Sequence, residues 1–177
     1  MNLKGLGVAM VTPFKIDGTV DYPSISLIVE NIIKGNADYL VLFGTTAEVP
    51  CLSNDEKKMI TQTVIEINND RIPLVIGIGG NNTAKVISEI RQTDLSHFGA
   101  ILSVSPYYNK PSQKGIFYHY AEIAKTSDLP IIVYNVPSRT GSKVEPSTFI
   151  RLTNEYEGII AIKEASGDIV QAQEIIK

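Results

Sequence analysis

Apolar, β-branched runs of strand type recur in this chain about every 30 residues, and each is followed by a stretch with helical periodicity. The runs fall at residues 7–12, 39–43, 73–77, 100–104, 130–134 and 158–163. Ser24 opens a helical stretch that continues to about Lys34, with Leu27, Ile28 and Ile32 in shared helical neighbourhoods. Ser53 and Glu56 have the residue types and spacing of a capping box ahead of Met59, Ile60, Val64 and Ile67. Thr83 starts a helix over residues 84–95, and residues 112–126 carry Ile116, Phe117, Tyr120 and Ile123 at helical spacing. Pro146 stands at a first helical position before Phe149 and Leu152, and a sixth helix starts near Asp168. Strict βα alternation of this kind means a parallel sheet with helical crossovers.

Two α/β architectures satisfy the pattern, a doubly wound open sheet and a (β/α)8 barrel. A doubly wound nucleotide-binding fold carries a glycine fingerprint in its first βα turn. The first turn here, residues 12–18, has none. Residues 77–82, Gly-Ile-Gly-Gly-Asn-Asn, come closest, but they follow the third strand and read as a tight strand-to-helix turn. With 177 residues the chain is long enough for one sizeable core, so it reads as a single domain over 1–177. A net charge of −3 argues against a general nucleic-acid or anionic-membrane binder. A lone cysteine, Cys51, excludes an internal disulfide framework and suits a reducing compartment. The N-terminus lacks the pattern of a signal peptide and no run reaches the length of a membrane span, so the expected location is the cytoplasm.

Chemistry-bearing residues gather at the C-terminal ends of the strand-like runs. The second ends in Gly44-Thr45-Thr46-Ala47-Glu48, the fourth in Ser105-Pro106-Tyr107-Tyr108-Asn109, the fifth in Tyr134-Asn135-Val136-Pro137-Ser138-Arg139-Thr140-Gly141, and the sixth in Lys163. In a barrel these ends meet at one mouth, where the active sites of such enzymes lie. Lys163 is out of place in a buried apolar run, because burying an ammonium is costly and the usual escape is a neutral amine. A neutral amine is the nucleophile of Schiff-base chemistry. The bland alternative is a strand-end lysine reaching into solvent. Thr45 and Thr46 either cap a helix or bind a carboxylate. If extended alternation persists, the rings of Tyr107 and Tyr108 point to opposite sides, one to the site and one to a neighbouring subunit. Tyr134 is core or a proton-transferring phenol, and Arg139 is a solvated loop residue or a bidentate carboxylate clamp. His97 and His119 lie on helices away from this mouth and read as structural. With two histidines, no CxxC and no HExxH, a metal-dependent mechanism is poorly supported.

These four motifs, the last extended to Ile162-Lys163-Glu164-Ala165-Ser166-Gly167, resemble the dihydrodipicolinate synthase family of pyruvate-dependent, Schiff-base-forming aldolases. The resemblance covers essentially the whole chain in order and implies a (β/α)8 TIM barrel, of which about six βα units are present. It implies condensation of pyruvate with aspartate 4-semialdehyde to 4-hydroxy-tetrahydrodipicolinate in lysine (diaminopimelate) biosynthesis, with no external cofactor. By the same resemblance Lys163 forms the imine, and Thr46, Tyr134 and Tyr108 relay protons, with Tyr108 supplied across a dimer interface. Thr45 and Thr46 hold the pyruvate carboxylate, and Arg139 holds that of the semialdehyde. The implied assembly is a homodimer or a dimer-of-dimers tetramer. The alternatives are another pyruvate-dependent aldolase, either a neuraminate lyase, a group that typically lacks that arginine, or a keto-sugar-acid lyase, and a non-catalytic truncated remnant.

Three departures from the family pattern carry expectations. Ala47 stands where the family usually has glycine, a conservative change provided the backbone there is not left-handed. A (β/α)8 barrel takes about 250 residues, so the chain is expected to be a fragment lacking two βα units and the C-terminal helices, with poor activity alone. At the lysine-feedback site the resemblance implies histidines and a glutamate in sensitive members, whereas this chain has Asn54, Lys57 and Lys85. A cation opposite the ligand's ammonium repels it. Sub-millimolar lysine is therefore expected to leave steady-state turnover unchanged, and inhibition in that range would overturn the expectation.

Overall fold

A computed structural model describes residues 3–177. Its strands and helices alternate as β1 (Gly7–Ala9), α1 (Tyr22–Lys34), β2 (Tyr39–Leu42), α2 (Asn54–Asn68), β3 (Leu74–Gly77), α3 (Thr83–Gln92), β4 (Ala100–Val104), α4 (Gln113–Thr126), β5 (Ile131–Asn135), the four-residue α5 (Pro137–Thr140), α6 (Pro146–Glu155), β6 (Ile159–Glu164) and α7 (Ile169–Ile176). The chain divides into two compact units, one up to Gly77 with His97–Gly99, the other Ile78–Ser96 with Ala100–Lys177. Strand order follows chain order, β1-β2-β3 in the first unit and β4-β5-β6 in the second.

In the first unit β2 pairs in parallel with both β1 and β3, with Val8 opposite Leu40 and Leu40 opposite Leu74. Helices α1 and α2 pack against each other, with Ile25, Val29, Ile60 and Val64 fully buried. Full burial of such a side chain contributes roughly 1.5–3 kcal/mol relative to exposure. Helix α1 begins at Tyr22, two residues before Ser24, because Pro23 is pre-organised for a first helical turn. Ahead of α2 the capping box forms: Glu56 N–H donates to Ser53 Oγ at 3.2 Å and Ser53 N–H donates to the Glu56 carboxylate at 2.8 Å. Such a cap contributes about 1 kcal/mol.

In the second unit β5 lies between β4 and β6, again all parallel. The paired residues Ile101 with Ile131 and Ser103 with Val133 are all 0% exposed, whereas the intervening pair Leu102 and Ile132 retains 5% and 8%. One face is therefore sealed and the other slightly open, as the strand period of two requires. The Tyr120 hydroxyl of α4 donates to the Ser103 carbonyl at 2.9 Å. Helix α3 stops at Gln92, short of the expected residue 95, as Thr93 Oγ1 donates to Glu89 O and the Asp94 carboxylate accepts from Ser96 N–H. His97 accordingly sits exposed in a turn, not on a helix. No helix among the described residues is long and apolar enough to cross a membrane.

His119 is structural, as expected. It is buried on α4, with Nδ1 2.8 Å from the Thr83 hydroxyl at the first residue of α3. Burial pushes its imidazole down to about 4. A depressed native value means the unfolded chain takes up the proton first, so stability falls as pH drops from about 6.5 towards 4. The His119→Gln variant is expected to lose about 2 kcal/mol less unfolding free energy than wild type between pH 7 and pH 5, measured by urea denaturation. Parallel pH profiles for the two proteins would contradict this.

Candidate active site

The two strands that carry the central candidates end together. Register pairs Tyr134 with Lys163 and Asn135 with Glu164, and neighbouring residues in a strand point to opposite faces. Tyr134 and Lys163 thus share one face, and Asn135 and Glu164 share the other. A register shift precedes these pairs: Ile131 faces Ile159 but Ile132 faces Ala161, so Ile160 is the extra residue of a bulge and is 48% exposed. The Lys163 Nζ lies 4.4 Å from the centroid of the buried Tyr134 ring. Lys163 itself is half-buried, so the sealed environment expected from its apolar neighbours is only partly present.

Behind this pair the Glu164 carboxylate collects three donors. Asn135 Nδ2 donates to it at 2.8 Å, Gln171 Nε2 from α7 at 2.6 Å, and the Ser166 backbone N–H at 2.7 Å. Burial would raise the Glu164 carboxyl, but the bonds from Ser166, Asn135 and Gln171 outweigh it and hold the group below its usual range. Asn135, 0% exposed, uses its Oδ1 to accept the Val144 N–H at 2.9 Å. Asn135, Glu164 and Gln171 were not among the expected site residues. A polar pair directly following the tyrosine and the lysine in their strands was the signal for the first two.

Arg139 lies on α5, exposed, with no ion pair among the described residues. The sequence did not reveal this helix, which Gly141 terminates in the left-handed conformation. The buried Ser142 hydroxyl ties the following turn to the end of β4 by donating to the Pro106 carbonyl at 2.8 Å. Tyr108 is 89% exposed and left-handed, so the extended run stops before it and the alternation argument for the two tyrosines does not apply. Thr45 and Thr46 belong to the first unit, in a single 3-10 turn at residues 45–47 after β2, and both are exposed. The buried Ala47 anchors that turn, its carbonyl accepting the Thr12 hydroxyl at 2.7 Å. The second unit thus brings Lys163 and Tyr134 into contact and sets Arg139 on the helix just beyond.

Backbone strain is distributed unevenly. Left-handed Asn36, Asn69 and Asp70 occupy helix-to-strand turns, where such residues are tolerated, whereas Phe43, Glu48, Tyr108 and Lys110 follow the C-terminal ends of β2 and β4. Strain in bulkier residues gathers at functional sites. Ala47 is not left-handed, so its replacement of glycine is free of that penalty. Two of the three glycines at residues 77–82 reflect close packing: a Cβ on Gly77 would lie 2.1 Å from the Phe43 carbonyl oxygen, and one on Gly79 2.7 Å from the Val104 nitrogen. Among the described residues no three histidine, cysteine or acidic side chains group as metal ligands.

The chain matches the dihydrodipicolinate synthetase family over residues 2–177. It is similar to the 4-hydroxy-tetrahydrodipicolinate synthase of Flavobacterium psychrophilum, with 53% identity over 173 residues that cover 98% of this chain and 59% of the relative. The synthase of Parabacteroides distasonis is 49% identical over 177 residues, covering 100% of this chain and 60% of the relative. The solved structure of the chloride-inhibited dihydrodipicolinate synthase from Acinetobacter baumannii, complexed with pyruvate, aligns with a TM-score of 0.94 at 39% identity. That alignment covers 99% of this chain and 60% of the solved one. The chain therefore spans about three fifths of the length of the relatives it matches. Its fold class is the (β/α)8 barrel, of which it carries six βα units.

The 3-10 turn yields a paired prediction on stability, read by urea denaturation. Ala47→Gly is expected to lower stability by about 0.5–1 kcal/mol, since glycine only loosens a helical backbone there. Glu48→Gly is expected to raise it by about 0.5–1 kcal/mol by relieving a left-handed residue. A gain in stability from Ala47→Gly, or a loss from Glu48→Gly, would refute the assignment of strain.

Proposed function

Because this chain belongs to the dihydrodipicolinate synthetase family, we propose that it serves the condensation of pyruvate with aspartate 4-semialdehyde to give 4-hydroxy-tetrahydrodipicolinate. The observation that supports this best is the Lys163 Nζ, 4.4 Å from the Tyr134 ring centroid at the paired ends of β5 and β6. Lys163 attacks the ketone carbon of pyruvate and loses water to form a protonated imine. That cation makes the pyruvyl methyl acidic, and loss of a methyl proton gives an enamine. The enamine carbon attacks the aldehyde, whose oxygen takes up a proton. The substrate amine then displaces Lys163 at the imine carbon and closes the ring.

Tyr134 shuttles the protons in this scheme, linked to Thr46 and to Tyr108. Exposure of the Tyr108 ring supports its use by a second copy of the chain, in a homodimer or a dimer of dimers. Thr45 and Thr46 hold the pyruvate carboxylate through hydroxyl and backbone donors. Arg139, exposed on α5, clamps the carboxylate of the semialdehyde, which favours this substrate over the sugar acids of sister aldolases. No cofactor enters the sequence of steps.

Borohydride reduction in the presence of pyruvate is expected to leave a stable pyruvyl adduct on Lys163, read by peptide mass spectrometry, and Lys163→Ala is expected to abolish it. Tyr134→Phe should slow trapping by roughly a hundredfold. Arg139→Ala should leave trapping intact while raising the KM for the semialdehyde. Absence of an adduct on folded protein would overturn the imine assignment.

A further inference from the structure

We infer that Glu164, held by Asn135 and Gln171, is a positioning residue that fixes which side of β6 presents the lysine. Its consequence for catalysis rests on the imine reading of Lys163 given above. Upstream of Ile160 the two strands are paired Ile131 to Ile159, and downstream they are paired one residue out of that phase. A run as apolar as Ile159-Ile160-Ala161-Ile162 does little to choose between the two phases, because each places similar side chains on each face. A slip of one residue would move Lys163 to the face that now carries Glu164.

That other face is built to reject a lysine. Asn135 Nδ2, Gln171 Nε2 and the Ser166 N–H all converge as donors on Glu164. They come from β5, from α7 and from the turn after β6. Only a group that accepts at both oxygens satisfies all three; an ammonium offers donors only, and an amide has one accepting oxygen. Asn135 cannot turn its amide around without losing the Val144 N–H to its Oδ1. The cluster therefore reads the phase of the strand, and Lys163 over Tyr134 is the result on the opposite face. Glu164 touches no reacting atom in this scheme.

The test compares the full chain with Glu164→Gln and with the exchanged pair Asn135→Asp plus Glu164→Gln, which restores one donor–acceptor bond across the strands. Borohydride trapping with pyruvate is followed by rate at Lys163, and competitive labelling of lysines with acetic anhydride, without pyruvate, reports the exposure of that amine. Glu164→Gln is expected to slow maximal trapping roughly ten- to a hundredfold, with half-saturating pyruvate changed less than about twofold. Lys163 should label several-fold more slowly than in wild type, because the slip carries it to the sealed face, and the exchanged pair should recover most of both effects. If Glu164→Gln fails to fold, Gln171→Leu, which removes one donor and keeps the carboxylate, is expected to shift both readouts in the same direction by less. Wild-type trapping rate together with wild-type labelling in a folded variant overturns the inference, as does failure of the exchanged pair to recover either. If wild type itself gives no adduct, the imine reading fails, and the labelling comparison still decides whether Glu164 positions the lysine.

Discussion

The pleat of a β-strand is the constraint on which the second unit depends. Because adjacent residues face opposite ways, two consecutive positions in β5 and two in β6 carry opposed duties. Tyr134 and Lys163 meet on one face, while Asn135 and Glu164 tie the strands to α7 on the other. The same rule produces the fully sealed row of Ile101, Ile131, Ser103 and Val133 beside the slightly open row of Leu102 and Ile132. A hydrogen bond to an ionised carboxylate contributes about 1.5–3 kcal/mol, roughly twice a neutral one, so the polar side of this arrangement is stiff. The opposite side is left to the weaker contact of the Lys163 side chain with the Tyr134 ring.

Much of this was legible in the sequence because each level pointed the same way. The strand-like runs match the observed strands to within a few residues, and β4 at Ala100–Val104 matches the expected range. Ser53 and Glu56 formed the cap that their spacing announced. Lys163 stood out as a cation in an apolar run, and its partner Tyr134 as a phenol at a strand end. What escaped has physical reasons. Helix α5 is one turn long, too short to show a period, and the bulge at Ile160 is hidden because an apolar residue suits either face. Tyr108 broke the alternation by turning left-handed, which nothing in a bulky aromatic side chain forecasts. Glu164 has no duty legible in the sequence, since two of its three donors, Asn135 and Gln171, come from elements brought beside it only by folding.

The placement of Thr45 and Thr46 illustrates a different boundary of sequence reasoning. Their motif resembles the family's, and locally they form a turn whose rigidity comes from Ala47 and Thr12 beneath. The hydroxyls are displayed by the buried residue, in the sense that a fixed carbonyl under the turn sets where the two exposed side chains begin.

The uneven location of left-handed residues bears on how such a protein evolves under heat. At the helix-to-strand turns Asn36, Asn69 and Asp70 already suit their backbone, so selection finds little to improve there. Exposed Glu48, Tyr108 and Lys110 do not, and each is an invitation to a glycine, whereas Phe43 is retained by its buried ring. A population screened for thermal survival alone would accumulate its substitutions beyond the C-terminal ends of β2 and β4. Lineages kept under selection for turnover would retain the strained residues, and the difference between the two would mark the working face without any knowledge of its substrate.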